Sequence, residues 1–204
     1  MKITWLGHSC FFVQTAEGSV IFDPFADHYV PGYTIVRATA EAVFCSHEHR
    51  DHGCADGVTL SGRSLAAKIE AVDTFHDDKQ GSLRGLNKIH ILSAEGMRIA
   101  HLGDLGHMPE GEALEALRNV DALMIPVGGY YTIDAKTAKA LADTCGARVV
   151  IPMHYRLGAL GYDVIAELSD YTGLCQNTVY YPGNTMELTA ETPAQTAVLT
   201  YERI

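Results

Sequence analysis

Three histidines and an aspartate fall within six residues in the run Ser46-His47-Glu48-His49-Arg50-Asp51-His52, in the order His-x-His-x-Asp-His. Neutral imidazoles and carboxylates are donors that divalent transition metals such as Zn²⁺ favour. One loop thus offers four potential ligands, enough in number for one tetrahedral site. The run Glu41 to Cys45 before it reads as a strand ending at this loop, which would hold the ligands on a rigid support. The competing reading is a polar surface loop that happens to be rich in histidine. The rest of the chain argues against it, because further ligand-type residues follow apolar runs. His76 comes after Val72 to Phe75, Asp104 after Ile99 to Gly103, and His154 after Val149 to Met153. A lone histidine at a strand end is usually a surface or hydrogen-bonded residue. Taken together, the three can project from one edge of a common core and complete a metal centre.

The elements that must carry these residues can be read from the pattern. Lys2 to Leu6, Cys10 to Gln14 and Val20 to Phe22 are short strands punctuated by Gly7 and Glu17-Gly18. Ile69 to Phe75 is a further strand. Lys88 to Ser93 and Met97 to Leu102 flank Ala94-Glu95-Gly96 as a hairpin. Helical spacing predicts a helix over Glu110 to Arg118. The strand Ala122 to Ile125 ends at Pro126. Thr132 or Asp134 can cap a helix to about Thr144 that Gly146 stops. Arg148 to Ile151 is again a strand, Tyr162 to Tyr171 reads as a helix, and Thr178 to Tyr181, Thr185 to Leu188 and Ala197 to Tyr201 return to strands. No repeat or linker interrupts the 204 residues, so one domain over 1–204 is expected.

Composition bounds the partners. A net charge of −10 disfavours a nucleic-acid surface but leaves an anionic small molecule open, since bound metal would supply local positive charge. Five scattered cysteines without a CxxC fit reduced thiols in a cytoplasmic protein. No segment has the length and apolarity to span a membrane. The sequence is silent on oligomeric state.

The ordered set Phe22-Asp23-Pro24, His47 to His52, His76, Gly103-Asp104 and Pro152-Met153-His154 resembles the metallo-β-lactamase superfamily over nearly the whole chain. The segments Ile3 to Cys10 and His101 to His107 resemble its branch of small bacterial metal-dependent hydrolases, related to ascorbate-6-phosphate lactonase. The resemblance implies an α+β fold, a four-layer αββα sandwich of two mixed sheets flanked by helices, with the site at one edge. It implies that His47, His49 and His76 hold one metal, that Asp51, His52 and His154 hold a second, and that Asp104 bridges them. Two ions roughly 3.5–4 Å apart can share a hydroxide and aim it at an electrophilic centre. Zn²⁺ is the first choice, with Mn²⁺ or Fe as alternatives. The expected activity is hydrolysis of an ester, lactone, amide or phosphodiester of a small molecule. The catalytic set would be Asp51, Asp104 and His8, although His8 reads equally as a structural histidine. The alternatives are a di-iron redox protein on the same ligand frame and a non-catalytic metal-binding or ligand-sensing module.

Other residues carry two readings each. Asp23 orients a ligand or is a turn residue before Pro24. His107 rivals His76 as a ligand. Tyr155 donates a proton or packs at a strand end. Arg84 and Arg156 meet an anion or lie on the surface. Gly128 to Thr132 reads as a plain loop and cap, Cys54 as a packed thiol, and Glu48 and Arg50 as spacers pointing away.

Overall fold

The computed structural model describes residues 1–202. The chain opens with strands β1 (Lys2–Gly7), β2 (Cys10–Thr15) and β3 (Gly18–Phe22), followed by β4 (Ala38–Ala40), β5 (Ala42–Phe44) and β6 (Val58–Leu60). Then come β7 (Lys68–Phe75), β8 (Leu86–Ala94), β9 (Met97–His101), helix α1 (Gly111–Ala116), β10 (Ala122–Pro126), helix α2 (Ala135–Cys145) and β11 (Val149–Met153). Helix α3 (Leu168–Thr172), β12 (Thr178–Tyr180), β13 (Thr185–Glu187) and β14 (Gln195–Val198) complete the order.

Two mixed sheets face each other. The five-stranded sheet runs β13-β1-β2-β3-β5, and the seven-stranded sheet runs β12-β14-β11-β10-β9-β8-β7. Their inner faces share one apolar core, in which Phe22 stacks on His101 with centroids 5.2 Å apart. In the larger sheet β10 and β11 are buried along their whole length, as central parallel strands should be. Helix α2 covers this sheet with Ala138, Leu141, Ala142 and Cys145 inward. Burying one such leucine is worth roughly 1.5–3 kcal/mol. Asp134 caps α2 by accepting from the Thr137 N–H at 2.8 Å, and Gly146 ends it in the left-handed region. The β8–β9 hairpin turns through Glu95 and Gly96, both at positive φ, which a two-residue turn between twisted strands requires.

The α+β sandwich agrees with expectation, and three local features differ from it. The expected helix over Tyr162 to Tyr171 is confined to Leu168–Thr172. Ahead of it the backbone is held by other elements: the Ala166 N–H donates to Gly128 O at 2.7 Å, and the Arg156 N–H donates to Ala166 O at 2.9 Å. The helix after Glu110 is shorter than its pattern, spanning Gly111–Ala116. The small parallel pair β4–β6 was not foreseen, because three-residue strands leave little periodicity to read. Among the described residues no helix is long and apolar enough to cross a membrane.

Candidate metal centre

Strand direction gathers the candidate ligands. β1 and β3 both run antiparallel to β2, and β5 is parallel to β3, so these three strands end at one edge of their sheet. In the facing sheet β7 and β9 both run antiparallel to β8, while β10 and β11 run parallel to β9. His8 follows β1, Asp23 follows β3, and the loop His47 to His52 follows β5. His76 follows β7, Asp104 lies just beyond β9, and His154 follows β11. The joint pattern read from the sequence therefore has a topological cause. Gly103 is required where the two sheets meet: at φ +55°, a Cβ there would lie 2.3 Å from the Ser46 Cβ.

The side chains converge. His52 Nε2 lies 3.1 Å from Asp104 Oδ1, while His76 Nε2 and His154 Nε2 lie 3.2 and 3.3 Å from Asp104 Oδ2. Donor atoms of His47, His49 and His76 fall within 4.8 Å of one another. The same holds for His8, Asp51, His52 and His154, and for His47, His52 and Asp104. His52, His76, Asp104, His154 and His8 are buried, His47 and Asp51 are partly buried, and His49 is exposed. Asp23 sits behind this cluster, fully buried. It accepts from the Ser46 N–H at 2.6 Å, the Ser46 hydroxyl at 2.6 Å and His52 Nδ1 at 2.7 Å. Ser46 Oγ in turn lies 2.9 Å from His47 Nδ1. Through these bonds one carboxylate fixes the rings of His52 and His47 and leaves Nε2 of each facing inward. Asn87 Oδ1 holds the Asp104 backbone in place, accepting from its N–H at 2.9 Å.

The donor set fits divalent cations. Buried ring nitrogens of His8, His47, His52, His76 and His154, and Oδ1 of Asp104, have no hydrogen-bond partner among the described residues. Buried polar atoms are seldom left unsatisfied without a reason, and a bound ion is one such reason. The charges agree. Burial works to raise Asp104, but His154 and His52 outweigh it and hold the carboxyl well below its ordinary range. Burial works to lower His52, but Asp104 and Asp23 outweigh it and raise its pKa well above the ordinary value. Burial, with His52 nearby, pushes His47 down to about 3, and burial with His154 pushes His8 down to about 4. A cation entering here would meet ionised carboxylates at Asp51 and Asp104 and neutral imidazoles at His8 and His47, and would displace a proton from His52.

A cavity of about 410 Å³ opens over the cluster, walled by Tyr29, Arg50, Arg84, Tyr131 and Tyr162 around Asp51 and Asp104. Tyr162 was missed as a site residue because it was read as helical. Its hydroxyl donates to Asp51 Oδ2 at 3.2 Å. Arg50 is not a spacer turned away: it lines the cavity with its guanidinium 5.2 Å from the Tyr29 ring centroid. Tyr155 packs against Trp5 in the core, away from any proton-donating position. His107 lies outside the cluster, with Nε2 accepting from the Phe75 N–H at 3.3 Å and Nδ1 donating to Met108 O. Arg156 pairs with Glu167 at 2.9 Å.

A family model for the beta-lactamase superfamily domain matches residues 2–154. A UPF0173 metal-dependent hydrolase of Methanoregula boonei is 27% identical, with 76% of this chain and 82% of that protein covered. A solved Thermotoga maritima structure, described as a candidate zinc-dependent hydrolase of the metallo-beta-lactamase superfamily, matches with TM-score 0.81. It is 32% identical, over 98% of this chain and 99% of its own. An isothiocyanate hydrolase from gut bacteria of Delia radicum shares the fold at TM-score 0.69 and 13% identity, over 93% of this chain and all of its own.

Proposed function

Since the chain belongs to the metallo-β-lactamase superfamily, we propose that it is a dinuclear metal-dependent hydrolase acting on an ester, lactone or phosphodiester of a small molecule. The observation that carries this reading is the position of Asp104, whose two oxygens lie 3.1–3.3 Å from His52, His76 and His154. It stands between the group His47, His49, His76 and the group Asp51, His52, His154, with His8 beside the latter. Each group would hold one ion, with Asp104 shared, and Zn²⁺ is the first choice for so many imidazoles, with Mn²⁺ or Fe as alternatives. Bound there, the ions would supply an activated water and a Lewis acid for the oxyanion that forms on attack.

The chain's own residues do the rest. Asp23 and Ser46 set the tautomers of His52 and His47. Tyr162 places a hydroxyl in the cavity beside Asp51, where it can hydrogen-bond a substrate as charge shifts. The five cysteines are free, which suits a reducing compartment such as the cytoplasm. The test is metal analysis of the purified protein together with a panel of lactone, thioester and phosphodiester substrates. Two ions per chain and turnover of one class are expected. A stoichiometry well below two, unchanged on adding metal, would refute the dinuclear reading. Full metal with no turnover would leave a binding or sensing module.

A further inference from the structure

We propose that Arg50 and Arg84 form a grip for a carboxylate or phosphate group carried by the substrate away from its scissile bond. The inference deepens the hydrolase reading and rests on it for the identity of the cavity. Both arginines line the cavity together with Asp51 and Asp104. Among the described residues neither has a carboxylate within 4.0 Å, whereas Arg63, Arg118, Arg148 and Arg156 are each ion-paired; Arg98, also without a carboxylate, donates to the Ala116 and Arg118 carbonyls, and Arg37 is exposed away from this cavity. In a chain with 25 acidic and 15 basic residues, two unpaired arginines at one cavity call for an anion from outside.

Each arginine rests on an aromatic ring. The Arg50 guanidinium lies 5.2 Å from the Tyr29 centroid and that of Arg84 lies 5.6 Å from the Tyr131 centroid. A cation–π contact uses none of the guanidinium N–H donors, which remain available to bind carboxylate or phosphate through paired hydrogen bonds. The backbones are fixed as well. Arg84 closes a loop organised by the buried Asp77, whose Oδ1 accepts from the Lys79 and Gly81 N–H and whose Oδ2 accepts from those of Leu83 and Arg84, all at 2.7–3.0 Å. Arg50 lies between His49 and Asp51, and its carbonyl accepts from the Ala26 N–H at 2.8 Å. A grip already held in place loses little entropy on binding. The volume of about 410 Å³ suits a small molecule.

The test measures calorimetric binding to the metal-loaded protein of two matched pairs: succinamate against succinamide, and propyl phosphate against propanol. The anionic member of at least one pair should bind about tenfold tighter, and Arg50→Gln or Arg84→Gln should remove about that factor. The pair showing the larger loss identifies the group. Metal content is measured in each variant to show an intact site. Should a glutamine variant unfold, Arg50→Lys and Arg84→Lys carry the test and should retain only part of the advantage, since lysine lacks the fork. Absence of any anionic advantage in both pairs overturns the proposal. So does an advantage that survives the double variant, which would place the anion on the metals. Hydrolysis of a neutral ester is followed in parallel. Its failure would count against the hydrolase reading while the binding preference still stood.

Discussion

Replacing Asp23 with asparagine isolates the carboxylate that orients the cluster from behind. Oδ1 would still accept from the Ser46 N–H, but an NH₂ group would replace Oδ2 and face two donors, the Ser46 hydroxyl and His52 Nδ1. The least costly relief moves the His52 proton to Nε2, the atom 3.1 Å from Asp104 Oδ1. An ion taking that nitrogen would then drive the remaining His52 proton back to Nδ1 against the NH₂ group, a cost that the wild-type carboxylate does not impose. Loss of such an outer hydrogen bond to a ligand histidine lowers metal affinity about 10- to 100-fold, or about 1.4–2.7 kcal/mol. Ser46 passes a weaker version of the same constraint to His47, so the other ion should be affected less. A competition titration against a chromophoric chelator, with circular dichroism to confirm the fold, resolves the two binding steps. Wild-type affinity at both steps in a folded variant would refute the reasoning. Equal loss at both would show that Asp23 holds the whole loop and not His52 in particular.

The other expectations address separate parts of the site. Asp104→Ala should lower metal content at both positions and abolish turnover, while His107→Ala leaves metal content nearly intact; the reverse result in elemental analysis would show the ligand order to be wrong. Tyr162→Phe should retain metal and lower kcat by about tenfold, the scale of one hydrogen bond to a charged group, and an unchanged kcat would remove Tyr162 from the reaction. At Asp77 burial works to raise the carboxyl, but four backbone N–H donors outweigh it and hold it down to about 2, below the 3.8 of a free aspartate. Its contribution is therefore present above pH 3.8 and lost as pH falls towards 2. Asp77→Asn should lower the denaturation midpoint at neutral pH, with the gap closing across that window. A gap independent of pH would place the effect in packing.

The candidate ligands are legible because they combine a rare residue type with a strand end. The loop His47 to His52 shows its spacing outright, and His76, Asp104 and His154 each close an apolar run that is in fact a strand. The cavity wall was not legible for the same reason in reverse. Tyr162 and Tyr131 lie on loops, where side-chain direction depends on tertiary hydrogen bonds and leaves no period in the sequence, and Arg84, although it carries an anion-binding reading, sits on the Asp77 loop, whose place beside the cavity no pattern announces. Tyr162 also sits in a run with helical spacing, and the pairing of Ala166 with Gly128 and Arg156 overrides that local preference. Arg50 was misread because alternation within the ligand loop suggests outward spacers, whereas its guanidinium folds back over Tyr29.

Backbone conformation adds a line of argument independent of residue type. His8, Asp23 and His154 all have positive φ, at 51°, 45° and 53°, and each follows directly on a strand, β1, β3 and β11. The left-handed conformation costs a non-glycine residue about 1–2 kcal/mol, and glycine would adopt it without that strain. All three are fully buried and their backbones are tied down. The Asp23 N–H donates to Phe44 O at 3.0 Å, the His154 N–H to His8 O at 3.3 Å, and Trp5 Nε1 to that same oxygen at 2.9 Å. The fold thus keeps a histidine or aspartate at positions where its backbone favours glycine. Strain of this kind persists where the surrounding structure imposes it and the side chain is needed. For Asp23 that need is the orientation of His52 and Ser46. For His8 and His154 it is the unpartnered nitrogens that each ring brings beside Asp51 and His52. His107 is set apart on different grounds, since both of its ring nitrogens find partners and it stands outside the cluster.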